Sequence, residues 1–350
     1  MEGIGENTEL TENIESKDIH KIKPGFCCFG IIDECFLRCK MCHKWKPDPN
    51  IQGVKRPPIS SWKDAIASLR NITDEGFLIN FGGGEPLLME GLLELVGFAA
   101  DKGFRTNIAT NAYLIDEGVA DKIADSDLSS VNLSLDSMNE TTHDYLRGTK
   151  SVYKKVMKAI EYLDKYCAKN FEIIICCAIY DVNMEEVIEV AEWVSQHPRL
   201  KWVYFMAAMQ PNNTKPNPNW YKGEFSYLWP KDTAKITSII DCLIDMKRRG
   251  YKINNQICQL EAFKKYFKYP DRFVKKTACN LDRAVHISSI GDIHICYEWG
   301  CLGNIGKDDL ATVWYSTEAD KVREDIRNCK KNCHHLINCF FEEDYPFEVI

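Results

Sequence analysis

No run of apolar residues in this 350-residue chain is long enough to cross a bilayer. The stretch from Met1 to Lys23 is polar and acidic, with no hydrophobic segment that could serve as a secretion signal. Both absences lead us to expect a cytoplasmic protein without a membrane partner. Excess positive charge is also lacking, since 44 Lys and Arg stand against 51 Asp and Glu for a formal net charge of -7. A nucleic-acid surface needs a basic stripe to meet phosphates, so nucleic acid is not expected as a partner. No Gly-rich dinucleotide fingerprint is present, which speaks against a flavoprotein.

What the chain has in quantity is cysteine, 16 in all. In a reducing compartment these favour metal binding over a disulfide framework. Several read as packing residues instead. Cys176 and Cys177 lie in the apolar run Ile173–Ile179 and read as buried strand positions. Cys167 and Cys242 fall within helical patterns, and Cys27 and Cys28 on a strand.

With 45% hydrophobic residues the chain can build a full core, in one large domain and a smaller one. Strands are expected at Phe26–Ile32, Phe77–Phe81, Thr106–Thr110, Val131–Leu135, Phe171–Ile179 and Trp202–Ala207. Helical patterns lie between them near Ser60–Asn71, Leu87–Asp101, Asp116–Ala124, Val152–Tyr166 and Asn183–Ser195. Continuous apolar strands alternating with helices predict an α/β fold with a parallel sheet buried on both faces. Six such units fit a curved partial (β/α)6 barrel rather than a closed eight-stranded one. Function in such sheets sits at the carboxyl ends of the strands. A polar, proline-rich break at 210–218 precedes one more helix, near Lys231–Arg249. We expect a flexible segment at 1–24, a core domain at 25–250 and a small cysteine-rich domain at 251–350.

After the first strand, Cys35, Cys39 and Cys42 follow the pattern C-x3-C-x2-C. That spacing suits three irons of a cubane cluster and leaves the fourth open to an exogenous ligand, as catalytic zinc sites keep an open position. After the second strand comes Gly82-Gly83-Gly84-Glu85-Pro86, which alone could be a tight turn or a site where backbone and carboxylate meet a ligand. Ser134 and Asp136 follow the fourth strand at alternate positions and so share a face. Asp136 alone could be a cap, and Arg147 alone a solvated helix end.

As an ordered set these residues resemble the radical S-adenosylmethionine (radical SAM) enzymes. The resemblance implies a 4Fe–4S cluster on Cys35, Cys39 and Cys42 that reductively cleaves S-adenosylmethionine to a 5′-deoxyadenosyl radical. It assigns Gly83, Gly84 and Glu85 to the methionine amino group. Ser134, Asp136 and Arg147 fall to the ribose and carboxylate, and Ile179 with Asn183 to the adenine. Asn111, after the third strand, joins the cofactor set. Met41 stands where relatives often carry an aromatic residue, and its thioether can make a comparable contact. An electron donor such as flavodoxin or ferredoxin is an implied partner.

The tail carries Cys279, Gly291 and Cys296 in a C-x11-G-x4-C pattern, then Cys301, Cys329, Cys333 and Cys339. Residues 285–296 read as a hairpin around Ile290-Gly291-Asp292, and 317–328 as a helix. This field resembles the SPASM/twitch extension, whose cysteines hold auxiliary 4Fe–4S clusters. Here the later trio is C-x3-C-x5-C, with Glu343 where a fourth cysteine would fall. We expect one auxiliary cluster on Cys279, Cys296 and two of Cys329, Cys333 and Cys339. Cys258 and Cys301 could serve a second, incomplete site. Four thiolates in paired spacing serve structural zinc equally well.

The activity this implies is that of a radical SAM oxidoreductase or maturase acting on a small molecule or a peptide. Only about two dozen residues precede the first strand, too few for a leader-binding domain, which tilts the expectation toward a small molecule or a peptide brought by a partner. The alternative is a zinc or iron–sulfur scaffold or redox sensor without catalysis. The aromatic loop Asn212–Trp229 could be a substrate lid or a packed surface loop.

Overall fold

The computed structural model describes residues 22–47, 51–215, 217–275, 279–329, 337–338 and 347–349. Strands and helices alternate through its first part: β1 (Phe26–Ile32), α1 (Ile59–Arg70), β2 (Leu78–Gly83), α2 (Leu92–Asp101), β3 (Arg105–Thr110), α3 (Glu117–Ala124), β4 (Ser130–Ser134), α4 (Glu140–Arg147), α5 (Val152–Tyr166), β5 (Glu172–Ile179), α6 (Val187–Gln196) and β6 (Leu200–Ala207). The remainder holds α7 (Thr233–Arg248), α8 (Ile257–Lys268), β7 (Phe273–Lys275), β8 (Ala284–Ile287), β9 (Asp292–His294), β10 (Gly303–Asn304), α9 (Leu310–Trp314), α10 (Thr317–Arg327) and β11 (Phe347–Val349). None of the described helices is long and apolar enough to cross a membrane.

Strands β1 to β6 pair in sequence order and in parallel, which gives the partial barrel expected. The tail adds to this sheet. β8 pairs in parallel with the outer side of β1, and β9 and β10 follow antiparallel, for an order β10-β9-β8-β1-β2-β3-β4-β5-β6. β8 and β9 form the hairpin expected around Gly291, where φ is +89°. After α7 the chain bridges back to β6 at Val203 and Ile253. β7 and β11 pair separately.

Burial within the strands alternates, contrary to the continuous burial the apolar runs suggest. In β5, Ile173, Ile175, Cys177 and Ile179 are fully buried, whereas Ile174, Cys176 and Ala178 are only partly so. β1 alternates likewise, with Cys27 and Phe29 buried and Cys28 and Gly30 half-covered. One face meets the helices; the other, covered by no helix among the described residues, turns into the open barrel. Cys176 is therefore an inner-face residue and not part of the helix-side core.

Three helices fall outside the elements expected from the sequence: α4, α8 and the five-residue α9. α4 is short and polar and buries only His143 and Leu146, so its apolar stripe is faint. Its legible signals are the Asn139 cap, whose Oδ1 accepts from the Thr141 amide, and Gly148 at the end. α8 carries lysines among its buried aromatics. α2 begins at Leu92 rather than Leu87 because a short 3-10 turn at Pro86–Leu88 and a left-handed Gly91 intervene.

Candidate active site

The carboxyl ends of β1 and β2 leave the sheet side by side, with Ile32 opposite Gly83. Two segments thereby begin in contact. The Gly84 amide donates to the Ile32 carbonyl at 2.6 Å, and the Glu85 amide to the Glu34 carbonyl at 2.9 Å. A Cβ on Gly84 would strike the Glu34 backbone, so glycine is required for this approach. Gly83 is the last residue of β2.

The cysteine loop is clamped from several sides. Leu37 is fully buried beneath it, and the Lys40 amide donates to the Leu146 carbonyl at the end of α4 at 2.8 Å. Gly148, with φ at +63°, presses on the backbone of Arg38. Asp33 pairs with Lys44 and accepts from Ser289, which ties the loop to the hairpin of the tail. Beyond the loop, the His43 amide donates to the Asn212 carbonyl at 3.2 Å, within the proline-rich break. Met41 packs half-buried against the core.

Cys35, Cys39 and Cys42 sense one another's charge. Burial raises the Cys35 thiol and pushes Cys39 up to about 12, with Arg147 opposing the latter. Without metal these two hold their protons, and iron ligation would displace them. Asn111 Nδ2 stands 3.9 Å from Cys35 Sγ, and Asn212 Nδ2 3.7 Å from Cys42 Sγ, both suited to donating to thiolates. Three thiols on one largely covered loop are the donor set a cubane needs.

Glu85 is fully buried. Its carboxylate accepts from Thr110 Oγ1 at 2.7 Å, the Asn111 amide at 3.0 Å and the Leu87 amide at 3.2 Å. Burial raises its pKa while these donors oppose the shift. Such a carboxylate is fixed in place and has no ion-pair partner among the described residues, which suits an ammonium ligand.

Asp136 lies just beyond β4, fully buried, and meets Arg147 Nη2 at 2.7 Å. The Ala178 amide donates to it at 3.1 Å. Burial raises the Asp136 carboxyl against the pull of Arg147. For Arg147 burial acts against the cation, but Asp136 and then Cys39 outweigh it and the pKa is raised. Arg147 Nε is buried with no hydrogen-bond partner among the described residues. Ser134 ends β4 half-buried, opposite Cys176. Ile179 ends β5 on the fully buried alternation. Asn183 spends its amide on backbone, donating to the carbonyls of Asp136 at 2.6 Å and Ala178 at 2.8 Å and accepting from the Tyr180 amide at 2.7 Å. It fastens the Asp136 turn to β5.

Three residues that sequence reasoning missed stand here. His143 Nδ1 accepts from the Asp136 amide at 3.1 Å. Tyr180 is buried close enough to feel Asp136, Arg147, Cys42 and Cys39. Asn212 reaches Cys42 from 170 residues away, a distance over which no local pattern gives warning. The loop Asn212–Trp229 is packed, with Trp220, Tyr221, Phe225 and Trp229 all buried. Tyr227, at its exposed edge, donates to the Lys40 carbonyl at 3.1 Å.

In the tail, Cys279 and Cys296 are buried, each opening a 3-10 turn. Arg327 Nε donates to Asp282 Oδ2 at 2.9 Å, which brings the end of α10, and Cys329 just beyond it, toward the turn that follows Cys279. Asn338 is anchored at β6: its amide exchanges bonds with Ala207 at 2.8 and 3.0 Å. Cys333 and Cys339 lie outside the described residues. Cys258 stands on α8, whereas Cys301 lies beside β9 at the far edge of the sheet.

The radical SAM superfamily profile matches residues 30–194, and an iron–sulfur cluster-binding (SPASM) domain profile matches residues 279–339. The chain belongs to the radical SAM superfamily, in the branch that carries a SPASM domain, and its cofactors are S-adenosylmethionine and 4Fe–4S clusters. It is 32% identical over 167 residues to a GTP 3′,8-cyclase of Aliarcobacter butzleri, covering 47% of this chain and 50% of that one. The chain thus spans half the length of that relative. An AdoMet-dependent heme synthase of Methanosarcina barkeri is 22% identical over 275 residues, 73% of each chain. In fold the chain resembles Streptococcus suis SuiB bound to S-adenosylmethionine, at a TM-score of 0.65 and 18% identity, over 86% of this chain and 68% of that one.

Proposed function

We propose that this chain is a radical SAM oxidoreductase or maturase that abstracts a hydrogen atom from a small-molecule or peptide substrate held at the carboxyl ends of its strands. One observation carries the reading: the loop after β1, Glu85 after β2, Asn111 after β3 and Asp136 after β4 converge with Arg147 on one end of the sheet. A structural protein has no use for a buried carboxylate, a half-satisfied arginine and a thiol triad gathered there.

When bound, the cluster and S-adenosylmethionine supply one-electron reductive cleavage and through it hydrogen abstraction. Cys35, Cys39 and Cys42 would hold the cluster, with Asn111 donating toward Cys35 Sγ and Asn212 toward Cys42 Sγ. Glu85 takes the cofactor's ammonium group. Arg147, braced by Asp136, offers Nε to the carboxylate, and Ser134 faces the ribose. The half-covered inner face of the sheet holds the substrate carbon in register and away from water. Cys279, Cys296 and two of Cys329, Cys333 and Cys339 would hold an auxiliary cluster, which would supply an electron acceptor or an anchor for the substrate.

The test is anaerobic reconstitution followed by dithionite and S-adenosylmethionine. We expect 5′-deoxyadenosine from wild type and none from the triple alanine variant at Cys35, Cys39 and Cys42. Undiminished product from that variant would overturn the reading. Iron and sulfide counts should fall by one cluster when Cys329, Cys333 and Cys339 are replaced together.

A further inference from the structure

A second set of metal-binding side chains converges near the β10 end of the sheet, around Cys301 and apart from the cysteines assigned to the two clusters above. Asp292 and His294 are two residues apart on β9 and leave it on one face. Cys301 approaches them from the segment that leads into β10. One ligand atom from each of the three lies within 4.8 Å of the other two.

Each group is already oriented by an outer contact. His294 Nδ1 is 2.8 Å from the Gly300 carbonyl, which fixes Nδ1–H as the donor and leaves the Nε2 lone pair for a ligand. Asp292 Oδ1 accepts from Asn304 Nδ2 at 2.7 Å, and the same amide donates to the Ile290 carbonyl at 2.9 Å. The Asp292 carboxylate is also hydrogen-bonded to the Cys301 thiol, so these two groups already face each other. Cys301 Sγ lies 3.1 Å from the Gly303 carbonyl and is exposed, so it can turn without disturbing the core. Backing a ligating imidazole with a carbonyl and a ligating carboxylate with an amide is how proteins hold first-row metal ions.

We propose that Asp292, His294 and Cys301 bind one zinc-class divalent ion, with solvent in the fourth position. One thiolate, one imidazole and one carboxylate match zinc, whereas calcium and magnesium avoid sulfur. A single thiolate cannot carry a cubane. Ligands about 2.0–2.3 Å from zinc stand roughly 3.3–3.8 Å apart, so closing a set already within 4.8 Å takes at most about 1.5 Å of side-chain movement. Two ligands precede the loop 295–300 and one follows it, so the ion staples the loop that presents Cys296. Metal binding releases the Cys301 proton to solvent and involves no redox change.

The experiment uses the full chain after iron–sulfur reconstitution, given one equivalent of zinc and then desalted. Elemental analysis should find close to one zinc per chain in addition to the iron. Zinc-edge X-ray absorption should show one sulfur at about 2.3 Å among nitrogen and oxygen neighbours at about 2.0 Å. Zinc should be lost in Cys301→Ala and in His294→Ala, with iron and sulfide unchanged. Cys301 is exposed, so its variant remains informative if the His294 variant misfolds. Three results would each overturn the proposal: wild type that retains no zinc, zinc surrounded by sulfurs alone, or a Cys301→Ala protein that keeps its zinc or loses a cluster's worth of iron.

Discussion

Arg147 Nη2 meets Asp136 Oδ2 at 2.7 Å where the carboxyl is fully buried and the guanidinium nearly so. Removing one partner of such a pair leaves an uncompensated charge, which costs about 3–5 kcal/mol, whereas replacing both by apolar groups is far milder. Arg147→Met should therefore destabilise the metal-free protein by roughly 3 kcal/mol. The double variant Asp136→Leu with Arg147→Met should recover most of that in urea melts. Affinity for S-adenosylmethionine, read by equilibrium dialysis on reconstituted protein, should stay lost in both. Recovery of affinity together with stability would mean the pair only supports the fold.

His143 makes stability depend on pH. Its Nδ1 accepts the Asp136 amide, and burial, followed by the charge of Arg147, holds its pKa well below the ordinary 6.5. The unfolded chain takes up this proton near 6.5 and the folded one does not, so stability is lost as pH falls below that value. Glu85 and Asp136 act with the opposite sign, since their raised values let the folded form take protons more readily. Comparison with His143→Gln isolates the histidine. Between about pH 7.5 and 5.5 the wild type should lose about 1 kcal/mol more than the variant. Equal losses would show that the ring accepts no amide in solution.

The parts legible in the sequence were those built from neighbours in the chain. Cys35, Cys39 and Cys42 share one loop, and Glu85 follows its glycines directly, so each could be singled out as a candidate within one short window. The six parallel strands announced themselves as apolar runs. What those runs hid was their two-sidedness: Cys176 and Ala178 are apolar yet face the open interior, because an apolar cavity wall and a packed core use the same residues. Asn212 on Cys42 and Ser289 on Asp33 depend on tertiary return of distant segments, which no window of sequence contains.

Gly84 and Gly148 are both required by close backbone approach, one from each side of the cysteine loop. A methyl at Gly84 meets the backbone of Glu34, and at Gly148 that of Arg38. Backbone cannot swing aside as a side chain would, so each alanine variant should cost about 1–3 kcal/mol by overpacking and move the loop. The expected signature is cluster iron that is lost faster to a chelator than in wild type. Gly97→Ala, where the new Cβ would meet nothing outside its own helix nearer than Ser126 O at 3.9 Å, serves as the control and should behave as wild type. Chelation kinetics indistinguishable across all three variants would contradict the clamp.

Asn338 closes the tail onto the barrel. It accepts the Ala207 amide at 2.8 Å and donates to the Ala207 carbonyl at 3.0 Å, while its own carbonyl accepts from Tyr204. Gln259 on α8 adds a bond to the Ile337 carbonyl at 3.0 Å. Asn338→Ala leaves both polar groups of Ala207 buried and unpaired, at a cost of about 1–3 kcal/mol for each. Since β6 is the edge of the sheet, the loss should be local. Hydrogen exchange at the Ala207 amide should accelerate by about tenfold or more, with the amides of β1 to β4 unaffected. Uniform acceleration across the sheet would show instead that the tail and the barrel unfold as one unit.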